Sequence, residues 1–323
     1  MNRDTGYWAI CAECKGRGRK SKRLRKKVRL SFQKALAEFE KSNGEGPAPV
    51  RPKPHLDICS NCSGSGLIRS DDESLLDSIP DTENYPHVAI IGGGIGGVAL
   101  AVACLHRKIP FTLYERDSGF EARSQGYGLT LQQASKAIEG LGIFSLAEGI
   151  VSTRHVVHNT DGKVLGEWGI RKWVPTDTQP APKRTNIHIA RQLLRKAILE
   201  QLGGSDAVQW NHQLVDFKQS DEIVANGKGV ELSFQVQGDE HSKEKPEIKT
   251  AYADLVVGAD GIRSSVRRLL IGEEASPLSY LGCIVILGIC PLADIKDEKG
   301  EKVESDLLDS ATVFQSANGI ERM

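Results

Sequence analysis

The chain has 323 residues and a mass of 35.2 kDa, and its 42 Lys+Arg are balanced by 42 Asp+Glu. A hydrophobic share of 39% and a charged share of 26% suit a globular protein with a sizeable core, and the length suggests two domains. No apolar run reaches the roughly 18–20 residues of a membrane-spanning helix. Residues 1–10 hold no apolar signal-peptide core, so a cytoplasmic protein is expected.

The neutral total hides a division. Residues 1–56 carry 15 basic against 5 acidic side chains, a net +10, which leaves the remainder at 27 against 37, a net −10. The chain reads as a composite: a segment at 1–69, an acidic linker at 70–85, and a larger domain at 86–323.

The first segment holds four of the seven cysteines as two Cys-x-x-Cys pairs, Cys11/Cys14 and Cys59/Cys62. Two such turns supply the four thiolates that structural zinc takes tetrahedrally. A disulfide or free thiols are the competing readings; a cytosolic chain rarely keeps disulfides, which favours zinc. Each pair runs on into glycines, Gly16/Gly18 and Gly64/Gly66, suited to the positive φ of a metal knuckle. The repeated Cys-x-x-Cys-x-Gly-x-Gly resembles the cysteine-rich zinc modules of DnaJ-type chaperones over these two pieces alone. The gap between them, Lys15 to Ile58, is longer than in an ordinary zinc ribbon.

Within that gap Leu24, Val28, Phe32, Ala35, Leu36 and Phe39 recur every three or four residues. They predict a very basic helix with one buried apolar stripe, ended by Ser42-Asn43-Gly44. A proline-rich stretch from Pro47 to Pro54 then returns the chain, extended, to the second pair. The basic run Lys15–Arg29 suits phosphate neutralisation and so a nucleic-acid partner, against the plainer reading of a solvated or docking face. Phe32 and Phe39 fit the stripe rather than a base-stacking platform.

The larger domain opens with a strand, His87–Ile91, then Gly92-Gly-Gly94-Ile95-Gly-Gly97, a helix over Val98–Lys108, and a second strand, Phe111–Tyr114, ending at Glu115. This is the dinucleotide fingerprint in its required context of strand, turn and helix, with an acidic residue at the expected distance. Gly92 makes the tight turn, Gly94 lets a pyrophosphate approach the backbone, and Gly97 lets helix and strand pack closely. The helix start near Ile95 offers N–H groups to phosphate, and Glu115 can accept ribose hydroxyls. A further apolar strand, Asp254–Ala259, expected to be buried, ends in Asp260-Gly261 and is followed by Ile-Arg-Ser264-Ser-Val266-Arg267. Asp260 can contact a cofactor or simply cap the helix that follows.

That segment resembles the Gly-Ala-Asp-Gly-x-x-Ser-x-Val-Arg stretch of the salicylate-hydroxylase-like, aromatic-hydroxylase family of flavoprotein monooxygenases. Glu115-Arg116 and Arg123-Ser-Gln-Gly126-Tyr-Gly128-Leu-Thr-Leu131 are similar to the family's Glu-Arg and Arg-x-x-Gly-x-Gly-Ile-x-Leu stretches. Ile189-Ala-Arg191-Gln-Leu-Leu194 is similar to the helix whose arginine reaches the flavin. The resemblance spans His87 to Pro291. It implies an α/β fold: a glutathione-reductase-type, Rossmann-like FAD-binding domain with a partial β-sheet substrate domain. It implies an oxidoreductase that consumes NAD(P)H and O₂ to hydroxylate a small organic, aromatic substrate. Fingerprint and resemblance together give Gly92, Gly94, Ile95, Gly97, Glu115, Arg116, Arg123, Arg191, Asp260 and Gly261 as cofactor residues, and the cysteine spacing gives Cys11, Cys14, Cys59 and Cys62 as the metal set.

No catalytic side chain is assigned, since the cofactor carries the chemistry. The scattered His106, His155, His158, His188 and His212 receive no role. Trp168 and Trp173 either line a substrate cavity or pack a sheet, and Cys104, Cys283 and Cys290 read as core. One departure stands out: none of the glycines after Arg267 is followed by Asp, so the family's later Gly-Asp motif is missing. A truncated member is expected, binding FAD weakly and lacking full turnover. The alternatives are a flavin-dependent reductase or halogenase on the same fold, or a basic zinc module on a degenerate flavoprotein scaffold. Trp168 and Trp173 do not match the Trp-x-Trp-x-Ile-Pro motif of halogenases.

Overall fold

The computed structural model describes residues 7–53, 55–70, 79–122, 127–131, 134–143, 145–169, 187–219, 229–236, 247–282, 290–305, 307–308 and 312–316. The chain divides into two compact units, Met1–Ile79 and Pro80–Met323.

In the first unit two short antiparallel pairs frame the cysteines. Strand β1 (Tyr7–Ile10) and strand β2 (Arg19–Ser21) flank the first cysteine pair, and strands β3 (Leu56–Ile58) and β4 (Leu67–Ser70) flank the second. β1 pairs with β4 and β2 with β3. Helix α1 (Lys26–Lys41) occupies the long gap and ends where Gly44, at φ +83°, donates its N–H to the Phe39 carbonyl. Its apolar stripe is not buried as expected: no residue of α1 is buried, and Val28 and Leu36 are 41% and 37% exposed. Among the described residues of this unit the buried hydrophobic side chains are the four cysteines and Leu67, and none of them forms an apolar layer with the stripe.

The second unit is built on β5 (Val88–Ile91), α2 (Ile95–Leu105) and β6 (Phe111–Tyr114), a strand–helix–strand crossover. Strands β12 (Val208–Gln209) and β16 (Leu255–Gly258) flank it in a parallel sheet of order β12-β6-β5-β16. Successive residues of β5 face opposite sides. Val88 and Ile90 join Val98, Ala101 and Val102 of α2 and Leu194 and Ile198 of helix α4 (Arg191–Glu200). Ala89 and Ile91, with Tyr114, join Leu214, Leu232, Phe234 and Ala253. Those last four come from an antiparallel sheet, β13 (His212–Lys218), β14 (Val230–Val236) and β15 (Glu247–Ala253). The uninterrupted apolar run of β5 is thus a strand covered on both faces.

Two smaller sheets complete the unit: β7 (Gly128–Thr130), β11 (Ile187–Ala190) and β8 (Ile150–Val151) in that order, and β10 (Val164–Trp168), β9 (Arg154–His158) and β17 (Thr312–Ser316). Two short helices, α3 (Ala134–Glu139) and α5 (Ser265–Ile271), lie among them in sequence.

Helix α2 starts three residues earlier than the predicted Val98 and stops at Leu105. Lys108 adopts φ +55° and the Ile109 N–H returns to the Cys104 carbonyl, closing the helix early. Strand β16, expected to be buried, is an edge strand with Leu255 49% exposed. Cys104 is buried as core, whereas Cys290 is exposed, and Cys283 lies outside the described residues. Among the described residues no helix is long and apolar enough to cross a membrane.

Candidate functional site

The first unit brings together all four cysteines of the two pairs. Cys11, Cys14, Cys59 and Cys62 are buried, and their sulfurs all lie within 4.8 Å of one another. Cys11 Sγ is 3.9 Å from Cys59 Sγ, and Cys14 Sγ is 3.7 Å from Cys62 Sγ. Four ligands at about 2.3 Å from a tetrahedral zinc would stand about 3.8 Å apart, so the set fits that ion.

The two halves repeat each other. Gly18 and Gly66 donate N–H to Cys14 Sγ and Cys62 Sγ at 3.3 and 3.2 Å. Cys11 N–H reaches the Gly66 carbonyl and Cys59 N–H the Gly18 carbonyl, each at 2.9 Å. Gly18 sits at φ +66°, and a Cβ there would lie 2.2 Å from the Gly64 carbonyl oxygen; at Gly66 one would lie 2.5 Å from that of Gly16. No other residue type fits those two positions. The Cys14 backbone N–H holds the Cys11 thiol down at about 6, while burial pushes Cys14 up to about 11. Adjacent buried sulfurs resist ionising together, which is the state a divalent cation relieves.

The second unit builds its site where the parallel sheet meets α2. Gly92 turns at φ +112°, and a Cβ there would lie 2.6 Å from the Ala259 carbonyl oxygen and 2.8 Å from Asp260 Cα. The loop after β16 therefore lies directly against the glycine turn after β5, as the parallel pairing of those strands requires. At Gly97 a Cβ would sit 1.8 Å from the Gly92 carbonyl oxygen, the close helix–strand approach expected of the third glycine. At Gly94, the N-cap of α2, a Cβ would meet nothing within 4 Å; the space beside it is open.

That space belongs to a cavity of about 360 Å³ whose lining includes Gly92, Gly94, Ile95, Glu115, Arg191 and Asp260. Arg116 and Gly261 also reach it, so of the ten residues suggested as cofactor contacts eight line one cavity. Gly97 acts behind the turn, and Arg123 lies outside the described residues. Glu115 is fixed at the end of β6. Its Oε2 accepts the Gly93 N–H at 2.7 Å and its Oε1 the Asp117 N–H at 3.1 Å. Ser264 is the N-cap of the following helix, accepting the Arg267 N–H on Oγ, and Asp260 braces it: Oδ1 accepts from Ser264 Oγ at 2.5 Å and Oδ2 from the Val266 N–H at 3.1 Å. Those bonds orient the carboxylate while it lines the cavity.

Arg191 begins α4 with its guanidinium 5.5 Å from the Tyr127 ring centroid. Sequence reasoning missed its neighbour one turn on. Arg195 is buried, lines the same cavity, and donates Nε–H to the Gly93 carbonyl at 2.7 Å. The signal was present: Arg195 occupies a position in the stripe of Leu194, Ile198 and Leu199, where an apolar residue is expected. His212, given no role, also lines the cavity and packs tilted against Tyr114, with ring centroids 5.6 Å apart. Trp168 is half exposed, stacks on His155 at 5.4 Å, and does not line this cavity.

No protein-family model matches the chain. The chain is similar to FAD-dependent monooxygenases. It is 29% identical over 234 residues to the FAD-dependent monooxygenase sor5 of Hypocrea jecorina, covering 69% of this chain and 44% of that one. It is 28% identical over 244 residues to the 6-methylsalicylate 1-monooxygenase atA of Aspergillus terreus, covering 70% and 49%. It is 27% identical over 208 residues to the chloroplastic zeaxanthin epoxidase of Oryza sativa, covering 61% and 28%. Among solved structures, a variant of Klebsiella pneumoniae HpxO complexed with FAD aligns with a TM-score of 0.47 at 16% identity, over 72% of this chain and 52% of that one. The chain spans less than half the length of these curated relatives.

Proposed function

We propose that this chain is an FAD-dependent oxidoreductase of the monooxygenase type, whose Pro80–Met323 unit receives the adenosine diphosphate part of FAD. The observation that carries the reading is the convergence of the Gly92–Gly94 turn, the start of α2, Glu115 and Asp260 on one cavity. The residues present fit the group. Gly94 leaves open the one approach that a Cβ would block, and the helix start supplies N–H donors and the positive end of its dipole to a diphosphate. Glu115 keeps lone pairs for ribose hydroxyls after accepting its two backbone N–H groups. The layering of α2 and α4 on one sheet face and an antiparallel sheet on the other is compatible with a glutathione-reductase-type FAD domain.

When bound, FAD supplies the redox chemistry that links NAD(P)H and O₂ to hydroxylation of a small organic substrate. The role of this chain's residues is to bind and orient it. In the same proposal the first unit holds one structural zinc on Cys11, Cys14, Cys59 and Cys62, with the Gly18 and Gly66 N–H groups supporting the thiolates.

Binding tests this reading more directly than turnover does, because the observation that carries it is the lining of the nucleotide cavity. Calorimetric titration of the zinc-loaded full chain should show ADP and FAD competing for a single site. A chain that binds neither overturns the dinucleotide reading. One zinc per chain by metal analysis is expected, and its absence from protein purified without chelator sinks the metal assignment.

A further inference from the structure

The buried guanidinium of Arg195 ties together four separate segments of the second unit. It projects from α4 and is only 6% exposed. It lies 4.9 Å from the ring centroid of Phe120 and 5.6 Å from that of Trp210, and bonds the carbonyl of Gly93 at 2.7 Å. Phe120 is itself tied to α4 by the bond from Gln192 Nε2 to its carbonyl, at 3.2 Å. Trp210 is anchored by its indole N–H on the Ser205 carbonyl at 2.9 Å. The rings and their tethers fix the plane of the guanidinium, so the donor aimed at Gly93 arrives in a set direction.

What that direction controls is the turn. Gly92, Gly93 and Gly94 are three residues without a Cβ, and each samples far more backbone conformations than any other residue type would. Left alone, such a run is costly to order. Here the Gly93 residue is gripped at both ends: its N–H by Glu115 Oε2 and its carbonyl by Arg195 Nε, each at 2.7 Å. The peptide joining Gly93 to Gly94 is planar and trans, so the Gly93 carbonyl and the Gly94 N–H point in opposite directions. Fixing the first aims the second. Gly94 is the N-cap of α2 and lines the cavity, and a helix start leaves its donors without intrahelical acceptors.

We propose that Arg195 is the positioning residue of the phosphate-binding turn: by holding the Gly93 carbonyl it presets the Gly94 N–H for a diphosphate, and its buried positive charge favours the same anion. This rests on the dinucleotide reading of the cavity. It assigns Arg191 and Arg195, one turn apart on α4, different tasks. Arg191 lines the cavity beside Tyr127, while Arg195 acts through the backbone of the turn.

The test uses the zinc-loaded full chain with Arg195→Met and Arg195→Lys, and ADP and adenosine as probes. Loss of a hydrogen bond from a charged donor should weaken ADP by about 10- to 100-fold. Adenosine, which has no phosphates, should change less than about threefold, and Arg195→Lys should recover part of the ADP affinity. A merely structural role would weaken ADP and adenosine in parallel, and that result overturns the proposal, as does unchanged ADP binding. Hydrogen exchange without any ligand gives a second reading: the Gly93 amide should exchange at least about tenfold faster in Arg195→Met, with amides of Val102–Leu105 unaffected. Equal exchange at Gly93 overturns the proposal even if the wild-type chain binds no nucleotide. Failure of the wild type to bind ADP, with the exchange result as expected, instead defeats the dinucleotide reading and leaves Arg195 as the residue that orders the turn.

Discussion

The two units solve the same problem with different materials. Among the described residues of Met1–Ile79 the buried centre is four sulfurs and one leucine, and helix α1 contributes nothing to it. In Pro80–Met323 a parallel sheet is sandwiched between helices and a second sheet, with apolar clusters on both faces. In the zinc reading proposed above, the first unit draws its folding energy from the metal, because too little apolar area is removed from water to offset chain entropy. A unit with two apolar layers folds without its ligand, and nucleotide binding then adds to a stability already present. Glycine plays one part in both: at Gly18 and Gly66, beside the cysteine cluster, and at Gly92 and Gly97, beside the cavity, it lets backbone touch backbone.

The largest effect expected from this contrast comes from removing one sulfur. Cys59→Ser, or chelation of the wild type, should forfeit metal-binding energy on the order of 10 kcal/mol. Limited proteolysis should then cut within residues 11–66 while sites within 80–323 stay protected. Simultaneous loss of protection in both units would break the comparison. The second unit answers to a different change. Gly97→Ala puts a Cβ 1.8 Å from the Gly92 carbonyl, where backbone must yield, and should cost about 3–5 kcal/mol. Calorimetry should show the transition of the second unit falling while zinc content stays the same. An unchanged transition would mean that the helix and turn are not in the contact described.

Gly94→Ala sharpens the point within the second unit itself. Its backbone, at φ −71° and ψ 179°, is open to any residue, and the added Cβ touches nothing in the protein. Stability should hold within about 0.5 kcal/mol. The methyl group instead occupies the space where phosphate would approach, so ADP affinity should fall by roughly 100-fold, about 2.7 kcal/mol. Titration calorimetry paired with thermal denaturation reads both quantities, and a stability loss matching that of Gly97→Ala would show that the two glycines are not doing different jobs.

The parts of this molecule legible in the sequence were those governed by local rules. Short-range spacing located the cysteine turns, the strand–turn–helix around Gly92, and the strand that ends at Tyr114. Local pattern failed where a tertiary partner decides the outcome. Periodicity on α1 gave an apolar stripe from Val28 to Phe39, but whether a stripe is buried depends on what lies opposite, and no residue of α1 is buried. The run Leu255–Gly258 looks like an interior strand because β-branched residues suit either place; only the strand order makes it an edge. Arg195 escaped notice because a charge in an apolar stripe has no meaning until its carbonyl partner, 102 residues earlier, is known.

The smallest of these effects concerns acid. His106 closes α2 as its C-cap, and its Nδ1 is buried with no hydrogen-bond partner among the described residues. Burial holds the ring down at about 4, with the adjacent Arg107 adding to the shift. In the unfolded chain the same ring titrates near its ordinary value of about 6.5. Between those two values the unfolded state binds the extra proton, so stability is full above about pH 6.5 and declines as the pH falls toward 4. The loss should be on the order of 2 kcal/mol for a ring that is mostly but not wholly buried. His106→Leu removes both the titrating group and the unpartnered nitrogen. The variant should therefore match or exceed the wild type at pH 7 and gain on it steadily down to pH 4. Urea unfolding of the second unit across that range measures the difference directly, and subtracting the two profiles cancels the contributions of the other titrating groups. Parallel profiles would mean that the ring stays in contact with water, and that the helix end is less tightly packed than the sheet it covers.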